Sequence, residues 1–591
     1  MLTSMLDTLA PAYESSRHRE TLAMLWQDER WFDTPRQRRA AENTRQAFCE
    51  AGLSDARLVP FAADGRARYQ DWTTALAWSC SAARLTCGAE VLADRARTPT
   101  AVVQWSGPLA NTEAGIVDGD AMDVRASGAS VDGRFVLTAK PPREMKDRLR
   151  GARALGVLSD FLGTNIGYDE NTTRWCNTWA DGRDGWYVRA CDSVLPGFCL
   201  TPATGQRLRT ALREKPELKV QAFCESRLYA GESCCVTAVL PGADPSREIW
   251  IIGHAAEEGA NDNCSGVSTL IEAARMLQGL VLSGRLARPR FSIRFVATVE
   301  CLGTAAFGTL ESSARRRALA CLNVDSVGTA NPLTLAFGPL SAPSFGWICA
   351  GVILDAIQKR APLHSAAISG GFTVTPRLGV PREDNMLADP LAGVPTTTLG
   401  QVAGIFGYHS SNDTPEHCTT TALAGSALAV ATWAYLMAGL DNEKMEALAP
   451  AAHAWASTHL CGTDDLAFDS ANLRRWATAQ AWRDLSRWPV TGCEDHARRY
   501  ATAECATTSG GSCYSRRVWG MTTLDTLPET RARAFSRWSE WQAAAWYWTR
   551  PDWSLETIEN FTRAEVGQVP EGAIKVFLEA CCEAGLATRV R

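Results

Sequence analysis

The chain has 591 residues, too many for one ordinary core, so three or four structural units of roughly 150 residues are expected. Hydrophobic residues make up 46 %, charged residues 21 %, and the net charge is −5, which argues against a disordered chain and against a polyanion-binding one. No run approaches the roughly 20 strongly apolar residues needed to cross a bilayer; the nearest, residues 421–440, is rich in Ala and Gly and reads as a buried helix.

The first 20 residues mix acids and bases and lack an apolar stretch, so no signal peptide is expected. Twenty cysteines are scattered over all regions without CxxC pairs at zinc-finger spacing. They read mostly as small buried hydrophobes in a reducing compartment, and a cytoplasmic location is expected.

The N-terminal 60 residues look helical, with Gly52 as a helix stop. From residue 100 the texture changes to short β-like runs: 133–138 reads as a strand, 145–155 as a helix and 156–158 as the next strand, together a small α/β module. Residues 219–239 return to alternating β sequence. The nearly all-apolar run 248–252 is of the kind buried on both faces of a parallel sheet, and it leads into His254. Residues 266–277 have helical spacing; 291–299 read as a strand ending at Glu300, 319–324 as one ending at Asp325, and 394–399 as one preceding the loop of His409.

Strands alternating with helices, each delivering a polar residue at its carboxyl end, predict an α/β fold. Its core is an open, mostly parallel sheet flanked by helices, with a small α/β or β-rich insert and a helical C-terminal region. The expected division is 1–98 (N-terminal part of the catalytic domain), 99–218 (insert), 219–440 (catalytic domain), 441–550 (helical region) and 551–591 (a winged-helix-like tail). The tail is not strongly basic, so no nucleic-acid partner is expected.

A divalent metal that activates water needs imidazole and carboxylate ligands, an open position and a separate base. His254, Asp262 in Gly259-Ala260-Asn261-Asp262-Asn263, Glu300, Asp325 and His409 supply these types in strand-end contexts. Taken singly each is weak, since an Asp at a helix start is more often a cap. His18, His364, His417, His453, His459 and His496 lack that context and read as structural.

The series His254, then Gly259-Ala260-Asn261-Asp262-Asn263-Cys264-Ser265-Gly266, Val299-Glu300 with Gly303, Asn323-Val324-Asp325, Glu383-Asp384 and His409 with Asp413-Thr414 resembles the co-catalytic zinc aminopeptidase family that includes glutamate carboxypeptidase II and the glutaminyl cyclases. The likeness spans residues 247–420. It implies His254 and Asp325 as ligands of one zinc, Asp262 as the carboxylate bridging two, His409 as a ligand of the second, and Glu300 as general base. Arg382 and Asp384 are expected to face a peptide or aminoacyl amide substrate. Residues 133–161, with 195–200 and 205–208, resemble a protease-associated domain, and the tail resembles that of an uncharacterised bacterial branch of the group.

Three departures stand out. Ala256 occupies the place of an Asp that orients the first histidine, leaving Glu257 or Glu258 as substitutes. Cys301 replaces a metal-binding glutamate, and Asn385 stands where a histidine is common. Cys301 is therefore a candidate metal ligand, yet its side chain is shorter than that of Glu. One tightly held zinc on His254, Asp262 and Asp325 is expected, with a second only at high metal concentration. The resulting expectation is a zinc-dependent aminopeptidase-type hydrolase. The competing readings are a non-catalytic binding protein of the same fold and a single-metal acyltransferase of the glutaminyl cyclase kind.

Overall fold

The computed structural model describes residues 1–121, 131–175, 187–360, 372–401, 404–461, 468–500 and 511–590. One sheet of eight strands organises the catalytic half. In chain order these are β1 (Ser54–Ala63), β2 (Gly231–Leu240), β3 (Asp244–Ala255), β4 (Phe291–Val299), β5 (Ala318–Asp325), β6 (Leu333–Phe337), β7 (Val374–Leu378) and β8 (Thr396–Gly400). Their spatial order is β1-β2-β4-β3-β5-β8-β6-β7. The four central strands β4, β3, β5 and β8 are mutually parallel. Antiparallel pairs flank them on each side: β1 with β2, β2 with β4, and β6 with β8.

The central strands are parallel and buried because they carry apolar side chains on both faces: Ile249, Trp250, Ile251 and Ile252 are at most 1 % exposed. Helices cover the sheet. Cys264–Leu282 and Thr420–Ala438 pack against each other, and Ser15–Glu29 lies on the first of them. Thr420–Ala438 is the one described helix long and apolar enough to cross a membrane, and 89 % of its apolar window is buried inside the protein. The N-terminal region is helical at Leu2–Leu9, Ser15–Glu29 and Thr34–Glu50, and Gly52 stops the last of these with φ +78°.

A second sheet of seven strands forms the insert, with an antiparallel half and a parallel half, the latter containing Phe135–Thr138, Gly156–Ser159 and Gly197–Cys199. The helix Pro142–Gly151 connects the first two of these. The border between the sheets differs from the expected one at 98/99 and 218/219. Ala77–Cys87 and Lys219–Tyr229 pair with each other in the insert sheet, whereas Gly231–Leu240 joins the catalytic sheet. Alternation along 219–239 cannot reveal that change of partner, because both halves bury one face of a strand.

The C-terminal region is helical from Asn442–His459 onward. It ends in Leu555–Val566, Ala573–Glu583 and a short antiparallel pair of Tyr514–Arg516 with Ala587–Arg589. It is not a detached appendage: Ile558, Ile574, Phe577 and Leu578 share the main apolar cluster with Trp546, Trp482 and the sheet-covering helices. The described cysteines are all free, and twelve of them are buried.

Candidate metal centre

The carboxyl ends of β3, β4 and β5 deliver His254, Glu300 and Asp325 to one edge of the parallel strands. These three line, with Asp262, a cavity of about 280 Å³. In an open parallel sheet a ligand crevice forms at this edge, where connections leave the strand ends in opposite directions.

The segment 259–266 owes its sequence to how it is stitched down. Asn263 caps the helix Cys264–Leu282 by accepting from Gly266 N at 3.0 Å, so Asp262 is released from capping. The same Asn263 oxygen accepts from Ser326 N, and its amide donates to Val324 O at 3.1 Å, tying the loop to the end of β5. The Asn261 oxygen accepts from Gly328 N and Thr329 N, and its amide donates to Gln401. Asp413 accepts from Asn261 N at 2.6 Å and Asp262 N at 3.0 Å. A Cβ at Gly259 would lie 2.1 Å from an Asp413 oxygen and 2.4 Å from Asp262 O, so only glycine fits.

The loop holds Asp262 between two imidazoles. Its Oδ1 is 3.3 Å from His254 Nε2, and its Oδ2 is 3.2 Å from His409 Nε2. Charge-assisted N–H···O bonds run at about 2.7–2.9 Å. Two donors bound at about 2.0–2.1 Å to one tetrahedral ion stand about 3.3 Å apart. The observed separations match the second geometry. His409 comes from the segment after β8, with its ring stacked on Tyr408 and tilted against Trp175.

The electrostatics also suit a cation. Five acids line the cavity (Asp262, Glu300, Asp325, Glu383 and Glu540) against two arginines, Arg377 and Arg382. Burial, joined by the charge of Glu257, pushes the Glu300 carboxyl well above the usual range, and burial does the same to Asp325. Burial opposes protonation of His254, but Asp325, Glu300, Asp262 and Asp384 together hold its pKa well above the ordinary value. Burial raises Asp262, yet the two imidazoles outweigh it and keep this carboxylate below its usual range. A divalent ion among these oxygens would relieve their mutual repulsion, so the donor set fits a zinc-type site.

Residues 236–434 match the profile of peptidase family M28. This segment is a peptidase family M28 domain. The M28 segment contains His254, Asp262, Glu300, Asp325 and His409. Among solved structures, a peptidase M28 precursor from Shewanella amazonensis SB2B is 16 % identical, with 74 % of this chain and 97 % of that one covered and a TM-score of 0.51. The zinc aminopeptidase BSAP from Bacillus subtilis is 14 % identical over 72 % of this chain and 95 % of its own, at a TM-score of 0.49. No curated protein matches by sequence.

Two of the expected site residues are placed differently. Asp384 does not line the cavity. It is 1 % exposed, accepts from Cys301 N at 2.8 Å and from Thr304 Oγ1 at 2.6 Å, and sets its other oxygen 3.2 Å from His254 Nδ1. It stands where a partner for the imidazole is needed, the task that Ala256 cannot perform. Cys301 is fully buried in an apolar cluster with Cys235, Trp250 and Leu302, and does not line the cavity. Cys301 itself has φ +55°, and its short side chain joins this cluster instead of the cavity lining. Arg382 does line the cavity, held by Trp538 O and by Glu540 at 3.0 Å.

Glu383 of the Glu383-Asp384 element and Asn385 line the cavity on either side of Asp384, although neither is among the expected site residues. The insert reaches the site as well: Asn165 lines it, and the segment 166–175 braces the His409 loop through Gly407 N to Ile166 O, Ser411 N to Thr173 O and Trp175 N to His409 O. Nothing in local sequence marks such contacts between distant segments. Of the histidines read as structural, His364 lies outside the described residues; His18 is buried against Ser268, and His453 stacks on Trp482.

Proposed function

We propose that the protein is a zinc-dependent aminopeptidase that hydrolyses a peptide or aminoacyl amide at its N-terminal residue. The single observation that supports this best is Asp262, whose two oxygens face two different histidines at metal-ligand spacing while Glu300 lines the same cavity. A divalent ion held by His254, Asp262 and Asp325, with His409 nearby, would supply the Lewis acid that makes water acidic near neutral pH.

The chain's own groups do the rest. The Glu300 carboxylate, at the end of β4, accepts the proton of the attacking water and later delivers it to the departing amine. Asp384 holds the His254 ring in place through Nδ1, leaving Nε2 toward Asp262. Glu383 and the other cavity acids suit a substrate's free ammonium group, and about 280 Å³ suits an end residue better than a continuous chain. A reducing, cytoplasmic setting belongs to the same proposal, supported by the free cysteines.

The test is Glu300→Gln, which keeps shape but cannot take a proton. Hydrolysis of aminoacyl amides should fall by about 10²–10⁴ while zinc content is retained. Turnover close to that of the parent would refute the assignment of the base. Release of cyclised N-termini instead of free amino acids would favour the acyltransferase reading.

A further inference from the structure

The family-type glutamate at position 301 is replaced by a cysteine whose side chain is buried away from the cavity, which leaves the centre one carboxylate short. The loop after β3 holds another carboxylate, beside His254. The strand ends at Ala255, Ala256 turns left-handed with φ +65°, and Glu257 follows. A non-glycine residue in that region is strained and persists only when its surroundings enforce it. Glu257 is 5 % exposed, and its Oε2 is buried without a hydrogen-bond partner, 3.8 Å from His254 Nε2. One ligand atom each from His254, Glu257 and Asp262 all lie within 4.8 Å of one another.

An unpaired buried carboxylate oxygen is costly, and a protein retains one where it has a partner such as a cation. A tetrahedral ion sets two such donors about 3.3 Å apart and two bonds of about 2.0–2.1 Å span at most about 4.2 Å, so His254 Nε2 and Glu257 Oε2, 3.8 Å apart, reach the same ion with a small adjustment. Glu258, the neighbouring acid, also has an unpartnered buried Oε2, but its Oε1 accepts from Gln104 at 2.9 Å and it is not grouped with His254 and Asp262.

We propose that Glu257 is a metal ligand of this centre, joining His254, Asp262 and Asp325 around a single tight zinc, with Cys301 taking no part. The inference rests on the metallopeptidase reading above and adds a ligand to it. Its consequence is an uneven site: one ion has a full catalytic ligand set, while a second would have only Asp262 and His409, short of the usual three.

The experiment measures zinc per chain after dialysis and zinc affinity by competition with a chromophoric chelator, using the full chain and its variants Glu257→Ala, Glu257→Gln and Cys301→Ser. The parent is expected to retain one zinc. Both Glu257 variants should bind it more weakly by more than the roughly 10–100-fold that loss of a supporting residue costs, and Cys301→Ser should stay within about threefold of the parent. Equal affinity in the Glu257 variants, or a loss confined to Cys301→Ser, would overturn the proposal while leaving the metallopeptidase reading intact. A parent that binds no zinc would overturn both. Zinc X-ray absorption on the parent needs no variant: nitrogen and oxygen at about 2.0–2.1 Å are expected, and sulfur at about 2.3 Å would place Cys301 on the metal instead.

Discussion

Asp384 Oδ2 lies 3.2 Å from His254 Nδ1, while the other oxygen of the same carboxylate accepts from Cys301 N and Thr304 Oγ1. One side chain thereby links the end of β3, the turn after β4 and the segment before β8. Its burial leaves it no other charged partner than the imidazole among these contacts.

Asp384→Asn should therefore weaken zinc binding by about 10–100-fold, the usual effect of removing a group that orients a metal-bound histidine. The fold should survive, since the amide oxygen can still accept from Cys301 N. Zinc competition assays decide it; an unchanged affinity would show that His254 needs no such support.

Gly259→Ala should be far more damaging than its size suggests, because the new methyl group would press on Asp413 and on Asp262 O. Asp413→Asn perturbs the same loop more gently, turning an N–H toward one of the two backbone donors it now satisfies. A loss of roughly 1–3 kcal/mol is expected for Asp413→Asn, read from chemical unfolding. For Gly259→Ala the expectation is loss of zinc as well as stability. Normal zinc content in Gly259→Ala would mean that the loop can relax without disturbing Asp262.

Removal of zinc should itself destabilise the protein. Without a cation, the acids around His254 and Asp262 repel one another in a buried space, and a ligand that binds only the folded state adds stability in proportion to its saturation. Dialysis against a chelator is expected to lower the melting temperature, and added zinc to restore it. Identical melting curves would argue against a tight site.

His18 gives a pH dependence that does not involve the metal. Its ring is fully buried beside Ser268, and burial, aided by Arg275 and Arg17, lowers its pKa to about 3. A depressed folded pKa contributes stability that is complete above the unfolded value of about 6.5 and is lost as pH falls toward 3. Replacement by Gln removes this term. The stability difference between pH 7 and pH 4.5 should be smaller in His18→Gln than in the parent, by on the order of 2 kcal/mol. Equal differences would mean that His18 does not remain neutral in the folded protein.

The sequence by itself determined the parallel core of the sheet and the polar residues at its strand ends. Apolar runs such as 248–252 and 291–299 suit central, doubly buried strands, and His254, Glu300 and Asp325 lie at or just beyond the ends of such strands. The GANDN segment was legible for a related reason: its glycine, asparagines and aspartate each satisfy a steric or hydrogen-bonding demand of one short loop. Tertiary structure alone decided where each candidate side chain stands. Asp384, Glu257 and Cys301 differ in role because of where their chain segments meet: one behind an imidazole, one beside it, one in an apolar cluster. The same holds for the change of sheet at Gly231 and for the insert's grip on the His409 loop, since pairing partners far apart in the chain leave no periodic trace in either segment.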